Sequence, residues 1–264
     1  DWEYAPGQQL RAGQDWSTFL NTAALPDLID LVGPVGTLFD RQALLRWTSG
    51  PFQIALENET SVISGQDGER LVEEGQLVPD IVARYNGESG DLRWSLSAIG
   101  RKLSYSDRAG SAVETREDSE FGYGLSLAGK WYVGRDDLRF MFNYGDALGR
   151  YMGLNAFNDA YINEDGDLGT TRQWGGYLAY RHYWNDQWRS NLSVSMAESD
   201  NPGVGEYALA EELARAYRTF HVNLNYLPAP DMQLGTELIL GAKELENGRS
   251  GDLLRLQFGA KFAF

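Results

Sequence analysis

Residues 254–264 read Leu254-Arg255-Leu256-Gln257-Phe258-Gly259-Ala260-Lys261-Phe262-Ala263-Phe264. Apolar side chains at every even position alternate with Arg255, Gln257, Gly259 and Lys261. A β-strand sends successive side chains to opposite faces, so this stretch makes one apolar and one polar face. The same period of two recurs upstream. Leu92, Trp94, Leu96 and Ala98 share a face, as do Phe121, Tyr123, Leu125 and Leu127. So do Leu138, Phe140, Phe142 and Tyr144, and then Phe220, Val222, Leu224 and Tyr226. None of these faces carries a charge.

Twelve segments follow the rule, roughly 8–16, 40–48, 51–59, 77–86, 91–103, 120–131, 137–146, 172–184, 187–197, 215–227, 231–243 and 252–264. Many reach the length of about 9–11 residues that a tilted strand needs to cross a bilayer. Strands of soluble sandwiches are shorter, about 5–6 residues. The connections alternate. Short ones lie at Ser49-Gly50, Gly87–Gly90, Gly134–Asp136, Asn185-Asp186 and Pro228–Pro230. Long ones cover 17–39, 60–76, 104–119, 147–171, 198–214 and 244–251. Short turns on one side and long loops on the other are the pattern of outer-membrane barrels. Trp47, Tyr85, Trp131, Tyr132, Tyr144, Tyr183, Trp184, Trp188 and Tyr226 stand near strand ends, where aromatic girdles are expected. The reading is all-β: a transmembrane antiparallel barrel, with residues 1–264 as its single domain. The alternative is a large soluble β-protein whose apolar faces pack on one another.

Composition narrows the function. The 264 residues hold 23 Lys+Arg against 38 Asp+Glu, a net charge of −15. A protein that tracks phosphates needs a basic face, so nucleic acid is not an expected partner. There is no cysteine and only two histidines, His182 and His221, which excludes disulfides, cysteine zinc sites and histidine-rich metal centres. No cofactor and no metal are expected. The cluster Asn163-Glu164-Asp165-Gly166-Asp167 lacks the spacing of a calcium loop and reads as a solvated acidic loop. Mean hydropathy is −0.42, and no apolar run approaches the roughly 20 residues of a membrane helix.

Period two also assigns the lumen. Arg11, Arg46, Arg84, Arg93, Arg101, Lys130, Arg139, Arg181, Arg189, Lys243, Arg255 and Lys261 fall on polar faces. Their inward acidic counterparts are Asp15, Glu57, Glu59, Asp80 and Glu237. A basic wall inside an acidic protein favours anions. The 17–39 connection is long, rich in apolar residues and low in charge, with Pro26, Gly33, Pro34 and Gly36 as punctuation. It is expected to fold into the lumen as a constriction, with Asp27 and Asp30 facing the basic wall. The alternative is an outer loop packed between subunits.

Particular stretches resemble one family. Gly13-Gln14-Asp15-Trp16-Ser17-Thr18-Phe19 followed by Leu25-Pro26-Asp27 resembles the strand and inward loop of the DcaP-like trimeric porins. Asp40–Thr48 is similar to their next strand, and Tyr217–Pro228 with Leu234–Leu238 to their penultimate hairpin. The end of the chain resembles the terminal strand of outer-membrane barrels generally, with Phe262 and Phe264 as the barrel-assembly signal. The resemblance implies a Gram-negative outer membrane, with lipid and lipopolysaccharide around the barrel. It also implies a homotrimer, passive passage of small anionic solutes such as dicarboxylates, and no enzymatic activity. It implies sixteen strands, with the inward loop after the fifth. Here that loop follows the first full strand, and Trp2 and Tyr4 read as the end of a preceding one. The chain is therefore expected to be the C-terminal part of such a barrel, lacking its front strands.

Two other outer-membrane classes resemble a barrel of twelve strands. Phospholipases need a Ser–His pair, and His221 has no serine on its strand. Autotransporter translocators need a helix ahead of the first strand, which residues 1–7 cannot supply. These remain the alternative to a porin. The substrate-binding residues expected for the porin are Arg11, Arg46, Arg84, Arg93, Arg101, Arg139, Asp27 and Asp30.

Overall fold

The computed structural model describes residues 1–74, 78–106 and 117–263. Its strands are β1 (Trp2–Ala5), β2 (Gln8–Trp16), β3 (Arg41–Ser49), β4 (Phe52–Glu57), β5 (Thr60–Ser64), β6 (Arg70–Glu74), β7 (Asp80–Ser89), β8 (Leu92–Ser106) and β9 (Glu117–Val133). They continue as β10 (Asp136–Asp146), β11 (Ala160–Ile162), β12 (Leu168–Thr170), β13 (Arg172–Tyr183), β14 (Trp188–Asp200), β15 (Ala214–Ala229), β16 (Met232–Leu245) and β17 (Ser250–Phe262). Thirteen form one antiparallel sheet in the order β1-β2-β3-β4-β7-β8-β9-β10-β13-β14-β15-β16-β17. Among the described residues no ladder joins β1 to β17. This meander is the wall of a transmembrane β-barrel. No helix among the described residues is long and apolar enough to cross a membrane, so the strands do the crossing.

About twelve strands were expected, whereas seventeen are found among the described residues. The twelve periodic segments are all in the wall, joined by the four-residue β1. The other four, β12-β11-β5-β6, build a small separate sheet on the long-loop side. They are three to five residues long, too short for a period to show. Their pairing is also non-local: β5 runs parallel to β11, with Ile63 beside Ala160.

Exposure alternates along the wall. In β3, Gln42, Leu44 and Arg46 are buried while Ala43, Leu45 and Trp47 are exposed. The exposed face is the apolar one: Leu125 and Phe142 are each 51% accessible. In a membrane that face meets lipid. On the turn side it carries an aromatic belt, with Phe52 on Tyr85 at 4.9 Å, Tyr85 on Trp94 at 5.6 Å and Trp188 stacked on Tyr226 at 4.6 Å. Two residues expected in the belt are not there. Tyr132 and Tyr183 share the inner face with Lys130 and Arg181, whose cationic groups lie over their rings. Period two places them so, although both stand near a strand end. Phe262 is exposed on β17, and Phe264 lies outside the described residues.

Phe142 lies mid-strand, opposite Leu127 and Gly176. Phe142→Arg is expected to cost about 2–4 kcal/mol at the membrane midplane. Refolding into vesicles followed by urea titration measures it; an unchanged midpoint means this face does not meet lipid.

The hydrophobic core sits on the concave side. Phe19, Leu20, Ala24 and Leu38 of the 17–39 segment pack with Leu148, Tyr151 and Met152 of the 147–159 loop. Beneath them lie Val82, Ile99, Met141 and Tyr177 from the wall. A second cluster, including Ile63, Leu103, Ala147 and Ile162, seals the small sheet against β8.

Candidate functional site

Segment 17–39 leaves β2 and re-enters the sheet at β3. Between them it touches strands along the whole wall. Near its start, Thr18 N–H donates to Glu57 at 2.7 Å, and Arg46 Nε donates to Thr18 Oγ1 at 2.8 Å. Arg84 donates to the carbonyls of Leu20 (2.7 Å) and Thr18 (3.3 Å). Asn21 caps a short 3-10 turn, its Oδ1 accepting from Ala23 N–H at 3.0 Å. The Tyr177 hydroxyl then donates to Ala24 O at 2.9 Å, Arg139 to Leu25 O, and Asn223 to Asp27 O at 2.9 Å. Ile29 N–H donates to Glu237 at 2.7 Å. Both His221 and Asn223 lie 3.1 Å from the same carboxylate.

Glycines allow the closest approaches. A Cβ on Gly36 would stand 2.2 Å from the backbone nitrogen of Gly176 in β13. Here segment and wall touch backbone to backbone, and Gly36 N–H donates to Ser195 Oγ at 2.8 Å while its carbonyl accepts from Asn143 at 2.9 Å. Likewise, Ile29 fills the space that a side chain at Gly235 or Gly259 would need.

The expected site residues divide by what they touch. Arg11 pairs with Asp15 and, at 2.6 Å, with Asp1, while Arg46 lies 3.0 Å from Asp15. Arg93 pairs with Glu88 near the β7–β8 turn. Arg84 makes no ion pair among the described residues, and its Nε is buried without a hydrogen-bond partner. Arg139 lies 2.6 Å from Asp137. Asp27 sits 2.8 Å from Arg189 and 3.7 Å from Arg181. Asp30 holds Arg255 at 2.9 Å. Arg101 is set apart from all of these. Its side chain is 1% exposed, enclosed by Asp80 (3.2 Å), Asp159 (3.0 Å) and the carbonyls of Thr60 and Ala147. Its charge is balanced inside the protein.

Several participants were not picked out from sequence. Asp137 is buried on the inner face and is shared by Lys130 at 3.6 Å, by Arg139 and by Arg181. Counting back two from Arg139 places it there. Arg150, which lies 2.7 Å from Asp40, and Tyr151, which donates to Asp80 at 2.7 Å, come from a loop with no period to read. Burial, reinforced by Asp80, pushes the Tyr151 hydroxyl well above its ordinary pKa, so it remains a donor.

Beneath Leu25–Asp27 the balance is therefore four cations, Lys130, Arg139, Arg181 and Arg189, against the carboxylates of Asp137 and Asp27. A low-dielectric wall focuses such an excess.

A lipid-facing meander with a polar concave face, crossed by a segment pinned to that face, defines an outer-membrane porin. The profile of the DcaP outer membrane protein family matches residues 4–264, and the chain belongs to that family. That places it in the outer membrane of a Gram-negative bacterium. Among solved structures it is similar to the outer membrane channel DcaP of Acinetobacter baumannii, with 18% identity and a TM-score of 0.79 over 97% of this chain and 71% of that one. The in-vitro folded OmpT, an outer membrane protein of Vibrio cholerae, shares 10% identity with a TM-score of 0.54 over 97% of this chain and 76% of its own. At these identities the likeness is one of fold. No curated protein matches the sequence.

Proposed function

We propose that this porin passes small organic anions, dicarboxylates in particular, by passive diffusion and works as a homotrimer without catalysing a reaction. Residues 1–264 act as one barrel domain, with 17–39 as its constriction. The observation that carries the anion preference is the excess of cations over carboxylates beneath Leu25–Asp27. Guanidinium groups hold carboxylates by paired hydrogen bonds, and several moderate sites suit transport better than one tight site. Dicarboxylates and the trimer rest on the family resemblance. Lipid on the turn side and lipopolysaccharide on the long-loop side are the proposed surroundings.

The eight expected site residues take different parts. Arg139 belongs to the charged cluster, with Lys130, Arg181 and Arg189 beside it. Arg46 and Arg84 hold the segment in place, as Asp27 and Asp30 do from the segment's side. Arg11 and Arg93 set the charge near the turn-side opening. Arg101 acts indirectly, by holding the loops.

Succinate flux into vesicles tests the reading. Replacing Arg139 and Arg181 together by Gln should lower succinate entry relative to an uncharged sugar. The loss should shrink with salt, since the Debye length falls from about 10 Å at 0.1 M to about 3 Å at 1 M. Equal succinate-to-sugar ratios in the variant and the parent at low salt would remove the cluster as the filter.

A further inference from the structure

We infer that the long-loop mouth holds a separate capture site for organic anions with an apolar body, built around Lys243 and Tyr217 above the constriction. The inference rests on the anion-porin reading and assigns it an entry step. A cavity of about 480 Å³ opens between the small loop sheet, the 32–35 stretch of the inward segment and the ends of β14–β16. Most inner-face cations of the wall lie against a carboxylate, but Lys243 and, in the small sheet, Arg70, which both line this cavity, make no ion pair among the described residues. Among the described residues Arg70 donates to the Asn155 carbonyl, at 3.3 Å. The Lys243 ammonium lies 5.5 Å from the centre of the Tyr217 ring, and that ring meets Phe157 edge-on at 5.4 Å. Val35 adds an apolar surface below.

Cations without an ion pair among the described residues, beside an aromatic face, match a ligand with a carboxylate at one end and a ring or hydrocarbon at the other. The carboxylate takes Lys243 or Arg70, and the apolar body lies against Tyr217, whose ring the buried Phe157 backs. Glu212 also stands at the rim, and Glu206 and Glu246 accept from Tyr161 and Asn201 of the lining at 3.2 and 2.9 Å; these carboxylates repel a second anionic end, so a solute with one carboxylate is favoured at this step. An anion captured here is delivered next to the Val32–Val35 stretch and so to the constriction. Charge at a cavity mouth acts mainly on the rate of encounter.

Single-channel recording in planar bilayers tests this, with benzoate and acetate as probes added to one side at a time. Benzoate on the long-loop side should interrupt the current more often than acetate at equal concentration. In Lys243→Met/Arg70→Met, the interruption rate for benzoate on that side should fall about fivefold, well within the range by which charge alters association. From the turn side it should change far less. An unchanged rate from the long-loop side, or an equal fall from both sides, overturns the capture site. A parent channel that prefers potassium to chloride would instead overturn the anion reading itself, whatever the variant does.

Discussion

Arg101→Met is expected to destabilise the long-loop side by about 3–5 kcal/mol, the cost of leaving buried acids without their cation. Arg101 lies between Asp80 and Asp159, both buried. Asp159 also accepts from Val62 N–H at 3.0 Å and Arg150 N–H at 2.9 Å, so it ties β5 to the 147–159 loop. Without the guanidinium, Asp159 keeps no ion pair among the described residues and Asp80 keeps only Arg150, at 3.8 Å, in a site that water does not reach. The small sheet should open first, because its strands are short and this cluster, the packing beneath it and the bond from Leu168 N–H to Asp118 of β9, at 2.8 Å, are what fasten it to the wall among the described residues. Limited proteolysis of the refolded protein should then cut within 147–171 well before the wall strands. Adding Asp80→Asn and Asp159→Asn to the variant should recover part of the loss. A midpoint within about 1 kcal/mol of the parent would show that the cluster is not what holds these loops.

Gly36→Val is expected to raise single-channel conductance by lifting the 33–38 stretch off β13. The new Cβ would fall 2.2 Å from the nitrogen of Gly176, a contact with backbone that no rotamer relieves. Its displacement breaks the hydrogen bonds to Ser195 and Asn143, worth about 1–3 kcal/mol together. The wall itself should persist, since neighbouring ladders do not depend on Gly36. Gly203→Val makes the control: a Cβ there meets nothing within 4 Å, and conductance should stay as in the parent. Equal conductance in Gly36→Val and the parent would mean that this stretch does not narrow the passage.

The wall was legible because its determinants are local. Lipid on one side and a polar interior on the other force a period of two, and the segments at 92–98, 138–144 and 254–264 show it without interruption. The inner face was legible for the same reason, down to Arg46, Arg84 and Arg139. What those arginines touch was not. Their partners are backbone carbonyls of Trp16, Thr18, Leu20 and Leu25, which carry no mark in a sequence. The lumen charge is less one-sided than expected: Asp137 and Asp40 share the parity of the inner face with the arginines of their strands, and Asp159 lies outside the periodic segments. The parallel pairing of β5 with β11 joins distant loops, so no window of sequence contains it. Gly36 against Gly176 is of the same kind: each glycine is unremarkable alone and decisive only beside the other.

The reversal potential of the purified channel in a KCl gradient at low total salt tests the central claim most directly. Lys130, Arg139, Arg181 and Arg189 outnumber the carboxylates beside them, so chloride should carry more current than potassium. The potential should therefore take the sign of the chloride equilibrium potential, and it should move toward zero as salt screens the wall. A potential of the opposite sign, or one near zero at the lowest salt, would contradict an anion channel.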